Sequence, residues 1–339
     1  MPEQLLERRA RDLSDFAEFP IFDLSEKSNS AAWKRVYESR GKQLEIRAHP
    51  EDGVPNHIDG EVYVALLIAT HGKNPREPVH FVRRTLLTDM GWPATGPQYA
   101  RLDLALRRLQ STTLYTRNLI HDPATKQYRS ERAYSLLAGY SLQEPKGEQH
   151  QPCWFRWSPD LADLIAAGYT HPLETKTYFS LKSPIAQTAL RYLSCRMRDG
   201  KSLYEEHLLT FAQQRLGLRQ QYVSKIKEKL AAPLAELMEK TGINSVTYGA
   251  LASGEFKGQP KIIFKGRFRV IDSLTPQEPV PVAPPKRDVR EWYNSLSERD
   301  QRLKWSMARA MLTVGDDKPT EEEIWEELAR QHSLKGSAC

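Results

Sequence analysis

Apolar positions along this chain repeat one order of spacings in two stretches, residues 79–143 and 208–269. Each stretch opens on a short helical run, turns, and continues into a longer helix that bears Arg or Lys between apolar residues three and four apart. Each then closes in two segments of strand composition. A packing helix precedes each one.

In the first stretch Asp59 is the expected N-cap of a helix through Val62, Tyr63, Ala65, Leu66, Leu67 and Ile68 that Gly72 ends. Residues 79–81 read as a strand, residues 84–90 as a brief helix stopped by Gly91, Trp92 and Pro93, and Thr95-Gly96-Pro97 as a turn. From Gln98 to Gln110, Tyr99, Leu102, Leu106 and Leu109 form one stripe facing a core. At 100° per residue that geometry turns Arg101, Arg108 and Leu104 away from the core, with Arg107 on the flank. Residues 112–118 and 128–140 read as a hairpin across residues 122–126, carrying Lys126, Arg129 and Arg132.

The second stretch follows a helix that Ser183 caps with Pro184 at its first position. Residues 208–216 predict a short helix, and residues 218–238 a long one with Val223, Ile226, Leu230, Leu234 and Leu237 inward, broken or kinked at Pro233. Its outward and N-terminal positions hold Arg219, Gln220, Gln221, Tyr222, Ser224, Lys225, Glu228 and Lys229. Residues 245–251 and 261–270 predict a second hairpin with Lys257, Lys261, Lys265 and Arg267 on or near it. The order predicts a helix-rich α+β chain of tandem winged-helix domains, each a helix-turn-helix plus β-hairpin wing. Such a pair suits a clamp for double-stranded DNA. An amphipathic surface helix with scattered charge is the ordinary alternative for either long helix alone, but it does not explain the repeated order.

Composition narrows the chemistry. A chain of 339 residues with 40% hydrophobic and 27% charged residues is a folded protein, and its net charge of +6 is compatible with a polyanionic partner. Arg215, Arg219, Lys225, Lys227 and Lys229 cluster around one helix with Glu228 the sole acid among them. Three separated cysteines, Cys153, Cys195 and Cys339, form neither a disulfide framework nor a zinc pattern, and nine scattered histidines lack metal-ligand spacing. No phosphate loop for nucleotide hydrolysis occurs, because Gly41-Lys42 is followed by Gln43. No metal, cofactor or enzymatic activity is therefore expected, although scattered Arg, His and Tyr leave a tyrosine recombinase open. With no long apolar run and no leader-like start, no membrane contact is expected and the cytoplasm follows.

Residues 63–118, with Leu86-Leu87-Thr88-Asp89-Met90-Gly91-Trp92 and the run from Gln98 to Thr113, resemble the replication initiator protein A family of bacterial plasmids. The resemblance continues through Tyr178-Phe179-Ser180-Leu181-Lys182-Ser183-Pro184 and Leu190-Arg191-Tyr192-Leu193 to about Arg269. It implies tandem winged-helix domains that bind repeated origin sequences, or iterons, promote opening of the duplex, and recruit host replication proteins such as the initiator ATPase and the replicative helicase. It further implies repression of the chain's own promoter as a homodimer. Leu104 stands where that family would have a charged residue. A winged-helix transcriptional regulator with no replication role is the alternative.

Five segments are expected: an N-terminal arm over residues 1–30, winged-helix domains over 31–147 and 148–272, a linker over 273–287 and a helical tail over 288–339. The linker is marked by Pro276, Pro279, Pro281, Pro284 and Pro285. The tail has Asp288, Ser297 and Thr320 as caps, large aromatics at Trp292, Tyr293, Trp305 and Trp325, and an acidic last helix. It either folds back on its own domains or docks a host initiator or helicase. In the arm, Phe19-Pro20-Ile21-Phe22 is the segment able to pin to a core.

Overall fold

Asn56, three residues before the expected cap, starts α1 (His57–Thr70). Its side-chain oxygen accepts the Ile58 and Asp59 N–H groups at 3.0 and 3.4 Å, while the Asp59 carboxylate accepts the Asn56 N–H at 2.8 Å. Asp59 is thus the far member of a capping box rather than the cap. The computed structural model describes residues 10–25, 33–142, 153–198 and 200–267, with scattered positions between Tyr293 and Leu328. It is a mixed α/β chain divided into two units, Met1–Val280 and Pro281–Cys339.

After α1 come β4 (Val79–Phe81), α2 (Arg83–Asp89) and α3 (Gly96–Ser111), close to their expected bounds. Leu102, Ala105, Leu106 and Leu109 of α3 are fully buried, as their spacing requires. The hairpin that follows differs from expectation. β5 (Thr113–Arg117) and β6 (Glu131–Ser135) do pair, but within a four-stranded antiparallel sheet of order β2-β3-β5-β6 that includes β2 (Lys34–Ser39) and β3 (Lys42–Arg47).

At Leu136 the chain changes sheets. β7 (Leu137–Ser141) pairs with β8 (Cys153–Trp157), and β8 with β4, in the order β4-β8-β7. Tyr134 and Leu136 keep the two-residue alternation of buried positions, and Leu137, buried immediately after, breaks it. The single strand expected over residues 128–140 is therefore two strands in different sheets. The expected boundary at 147/148 lies between two paired strands, so β8 belongs to the first sheet system.

α4 (Pro159–Ala166), β9 (Thr170–Leu173) and α5 (Thr175–Ser180) lead to the second set. This comprises α6 (Pro184–Arg196), β10 (Leu203–His207), a short π-helix (Thr210–Arg215), α7 (Val223–Lys240), β11 (Ile243–Ala250) and β12 (Pro260–Gly266). Its sheet order, β10-β12-β11, repeats the first-third-second arrangement of β4-β8-β7. α7 runs on through Pro233, so the proline does not divide the helix. The carbonyl four residues earlier, deprived of that N–H, belongs to Lys229, an exposed residue.

The arm is the main element that local patterns did not reveal. β1 (Ala10–Leu13) pairs antiparallel with β9, and Phe16, Phe19, Ile21 and Phe22 behind it are buried in a core that runs on to Phe264. Gly60 lets the arm approach α1, since a Cβ there would stand 3.0 Å from the Phe22 ring. Asp12 on β1 accepts two hydrogen bonds from Arg191 of α6, at 2.6 and 3.1 Å, and one from the Tyr63 hydroxyl of α1 at 3.1 Å. Beyond it Arg215, with almost no exposed surface, donates to Glu206 at 3.1 and 3.0 Å, to the Glu18 carbonyl at 2.9 Å and to Ser39 at 3.1 Å. Arg215 is consequently removed from the surface cluster read in the sequence.

Within the second unit, Tyr293, Trp305 and Trp325 meet with ring centroids 5.1 to 5.9 Å apart beside buried Ile324 and Leu328. The Ile324 N–H bonds the Thr320 carbonyl at 3.2 Å and the Gln301 N–H that of Ser297 at 2.9 Å, as helix starts there require. The proline-rich linker, Asp288, Trp292 and the run of acidic residues after Thr320 lie outside the described residues.

Burial pushes His171, opposite Asp12 on β9, down to about 4. The unfolded chain takes up that proton near the ordinary value of about 6.5, so it binds more protons than the folded chain between the two values. Stability is therefore expected to fall as pH drops from about 6.5 to about 4, by up to about 3 kcal/mol from this group. Burial would raise the Asp12 carboxyl, but Arg191 holds it below its ordinary value, so its contribution is lost at still lower pH. Urea unfolding at a series of pH values checks this. A flat profile would contradict it.

Candidate nucleic-acid interface

α7 owes its orientation to its apolar back: Ile226, Leu230, Leu234 and Leu237 are buried. The residues just before it, after Gly217 at φ +75°, are held in a turn beneath the arm, where a Cβ on Gly217 would lie 3.2 Å from Pro20 and from the Tyr37 hydroxyl. What remains outward is Arg219, Gln221, Tyr222, Ser224, Lys225, Glu228 and Lys229. Tyr222, at the N-cap, is 75% exposed. Lys225 reaches Glu228 at 2.9 Å, an exposed pair that a phosphate could displace at little cost. Gln220 is half-buried: its carbonyl accepts from Gln213 at 2.9 Å, and its side-chain oxygen is buried with no hydrogen-bond partner. Lys227 lies over the Tyr248 ring at 4.7 Å and ties α7 to β11.

The hairpin beside α7 carries exposed Lys257, Lys265 and Arg267. Lys261 instead bonds Glu205 across the sheet at 2.7 Å. In the turn of the hairpin, Phe256 stacks on His207 with ring centroids 4.4 Å apart and 4° between the planes. Burial lowers the His207 pKa.

α3 is organised differently. Arg108, expected to face outward, is buried and donates to both oxygens of Asp59 at 2.7 Å. The reason is the capping box: the Asp59 carboxylate is buried at the start of α1, and Arg108 is the cation packed against it. Burial pushes the Asp59 carboxyl above its ordinary value, and Arg108 and the Asn56 N–H pull it back only in part. Arg107 is exposed but paired with Asp52. Arg101 is exposed, 6.0 Å from the Trp92 ring centre, and Leu104 beside it is 42% exposed. Gln98 is half-buried with an unpartnered side-chain oxygen.

The loop between β5 and β6 presents Lys126 fully outward at φ +57°. Arg129 does not join it. Its guanidinium pairs with Asp160 of α4 and with Asp122 at 3.4 Å, closing the loop onto α4. Arg132 remains half-exposed, 4.0 Å from Asp160. Of the candidates, residues 219–229 thus form one contiguous open set, whereas Arg108, Arg129 and Lys261 are structural cations. The acids that claim them, Asp59, Asp160 and Glu205, were missed because each lies far away in sequence.

Among the described residues no cluster of three or more His, Cys, Asp or Glu side chains could hold a metal ion. Likewise no helix among them is long and apolar enough to cross a membrane.

The model of the family described as replication initiator protein A matches residues 11–203, more than half of the chain and ending before α7. No curated protein matches the chain. Among solved structures it is similar to a selenomethionine derivative of domains 2 and 3 of RctB, with 15% identity, a TM-score of 0.46, and coverage of 75% of this chain and 98% of that one. A second structure of those RctB domains gives 12% identity, a TM-score of 0.45, and coverage of 75% and 96%. The Pi initiator protein in complex with iteron DNA gives 10% identity, a TM-score of 0.46, and coverage of 77% and 98%.

Substitution separates the two kinds of cation. Arg108→Ala leaves Asp59 buried without its partner and is expected to cost about 3 to 5 kcal/mol of stability. Lys225→Ala is expected to stay within about 0.5 kcal/mol of the parent. Chemical denaturation measures both, and equal losses would contradict the distinction.

Proposed function

This chain belongs to the replication initiator protein A family, and from that premise we propose that it binds repeated origin sequences in double-stranded DNA, promotes opening of the duplex and recruits host replication proteins. The observation that carries the reading is the open basic face from Arg219 to Lys229, formed by the segment entering α7 and the first turns of that helix, whose opposite side is locked into the core. A rigid helix presenting Gln, Ser and Lys has the chemistry for the major groove, Gln for adenine and Lys or Arg for guanine.

We further read both helix, strand, helix, helix, hairpin sets as winged-helix modules. Their identical sheet orders, β4-β8-β7 and β10-β12-β11, support this. The first module then extends to Trp157, and the second takes the chain from α6 to Arg267. In the first module Arg101, and Arg107 once released from Asp52, reach phosphate or base edges. Lys126, Arg132, Lys257 and Lys265 contact phosphates, which position the protein without reading sequence. The action is non-enzymatic and cytoplasmic, with free energy of binding and host partners, such as an initiator ATPase and a helicase, supplying the work of opening. Autorepression as a homodimer belongs to the same proposal.

Selection of bound duplexes from a random-sequence pool by the full chain tests it. A recurring motif is expected. On the selected duplex, Lys225→Ala and Gln221→Ala should each cost about 1 to 3 kcal/mol and relax preference at one position. Lys257→Ala and Lys265→Ala should act equally on all sequences, each lowering the salt slope by about 0.9. No enriched motif would refute sequence-specific binding.

A further inference from the structure

Arg219 stands at the entrance to α7 with 64% of its side chain exposed, yet its guanidinium is not loose. It donates at 3.1 Å to the outer carboxylate oxygen of Asp23, a residue of the arm 196 positions away. The same oxygen accepts from Arg35 of β2 at 2.9 Å, and the other Asp23 oxygen accepts the Ser25 N–H at 2.9 Å. The carboxylate is therefore fixed from three directions. Its backbone is fixed as well, since the Asp23 N–H bonds the Pro55 carbonyl at 2.8 Å and Asp23 bridges Asn56, the cap of α1.

We propose that Asp23 is a positioning residue for DNA binding, holding the Arg219 guanidinium in the orientation in which it meets the duplex; this rests on the reading of α7 as the base-reading helix. Two features favour positioning over masking. One carboxylate lies between two guanidiniums, so the group keeps a net positive charge toward an approaching phosphate. Among the described residues only one Arg219 nitrogen is engaged, which leaves most of its five-donor fork to the duplex. A long side chain held in one rotamer before binding loses less conformational freedom when it binds. Asp23 also joins the two modules at this point, because Asn56, bridged to it, shares a capping box with Asp59, which holds Arg108 of α3.

A double-mutant cycle tests this, using the full chain and the duplex enriched by the parent protein. Asp23→Ala is expected to weaken binding about five-fold, the upper range for an exposed pair. Arg219→Ala should weaken it at least as much, and the double variant no more than Arg219→Ala alone. Asp23→Asn, which keeps an acceptor oxygen, should recover most of the loss. Since Asp23→Ala retains the backbone bond to Pro55, its unfolding midpoint should match the parent's, so a lowered midpoint with additive losses would make Asp23 merely structural and overturn the proposal. Tighter binding by Asp23→Ala would make the carboxylate a mask, and Arg219→Ala with parental affinity would remove Arg219 from the interface; either overturns it. A parent that enriches no duplex refutes the DNA reading itself, and the proposal with it.

Discussion

The buried ion pairs made by the arm are the constraint on which the described fold depends. Arg191 and Arg215 are cations inside the core: Asp12 of the arm meets the first, and Glu18 of the arm shares the second with Glu206. Peeling the arm away would take the Asp12 carboxylate from Arg191, at a cost of several kcal/mol for an unpaired buried charge, and would leave Arg215 with Glu206 but without its two Glu18 acceptors. The arm's aromatic residues add to this by filling the space between α1, α6 and the four-stranded sheet. Residues 10–25 thus reinforce the direct contacts between the two modules, where Gln187 of α6 donates to Glu61 of α1 at 2.9 Å and Arg215 donates to Ser39 of β2 at 3.1 Å.

That joining gives the two modules unequal tasks. In α3 the guanidinium of Arg108 serves the interior, Arg107 is paired at the surface, and the open face narrows to Arg101 and Leu104. In α7 the interior is wholly apolar, so the basic side chains stay outward, and what structural ties they have, Arg219 to Asp23 and Lys227 to Tyr248, are made at the surface. The same sequence feature, an arginine or lysine on an amphipathic helix, therefore means different things according to whether a buried carboxylate lies opposite it.

Most helices and the outlines of the hairpins were legible because their signals are local: Ser183-Pro184 at the start of α6, Gly72 and Gly217 at helix ends, and the three-and-four stripes of α3 and α7. What was not legible is set by contacts distant in sequence. Nothing around residues 10–13 announces a strand, because β1 exists by pairing with β9 some 160 positions on. Strands β2 and β3 differ: they pair locally across Arg40-Gly41, both at positive φ, and that two-residue turn was a local signal left unread. Within the candidate interface, Lys225 was readable from helical phase alone, whereas Gln221 is exposed in the non-helical segment before α7, which starts at Val223 and not at the expected Leu218, and Arg108 was misassigned because its partner is 49 residues away. Asp23, 196 residues from Arg219, leaves no trace in any local pattern.

Hydroxyl-radical footprinting of the full chain on its selected duplex tests most directly whether one rigid body lays both modules on one double helix. Two protected windows on the same face are expected, separated by about one helical turn, roughly 10 base pairs. A single window no longer than one module covers, at saturating protein, would contradict the joint grip.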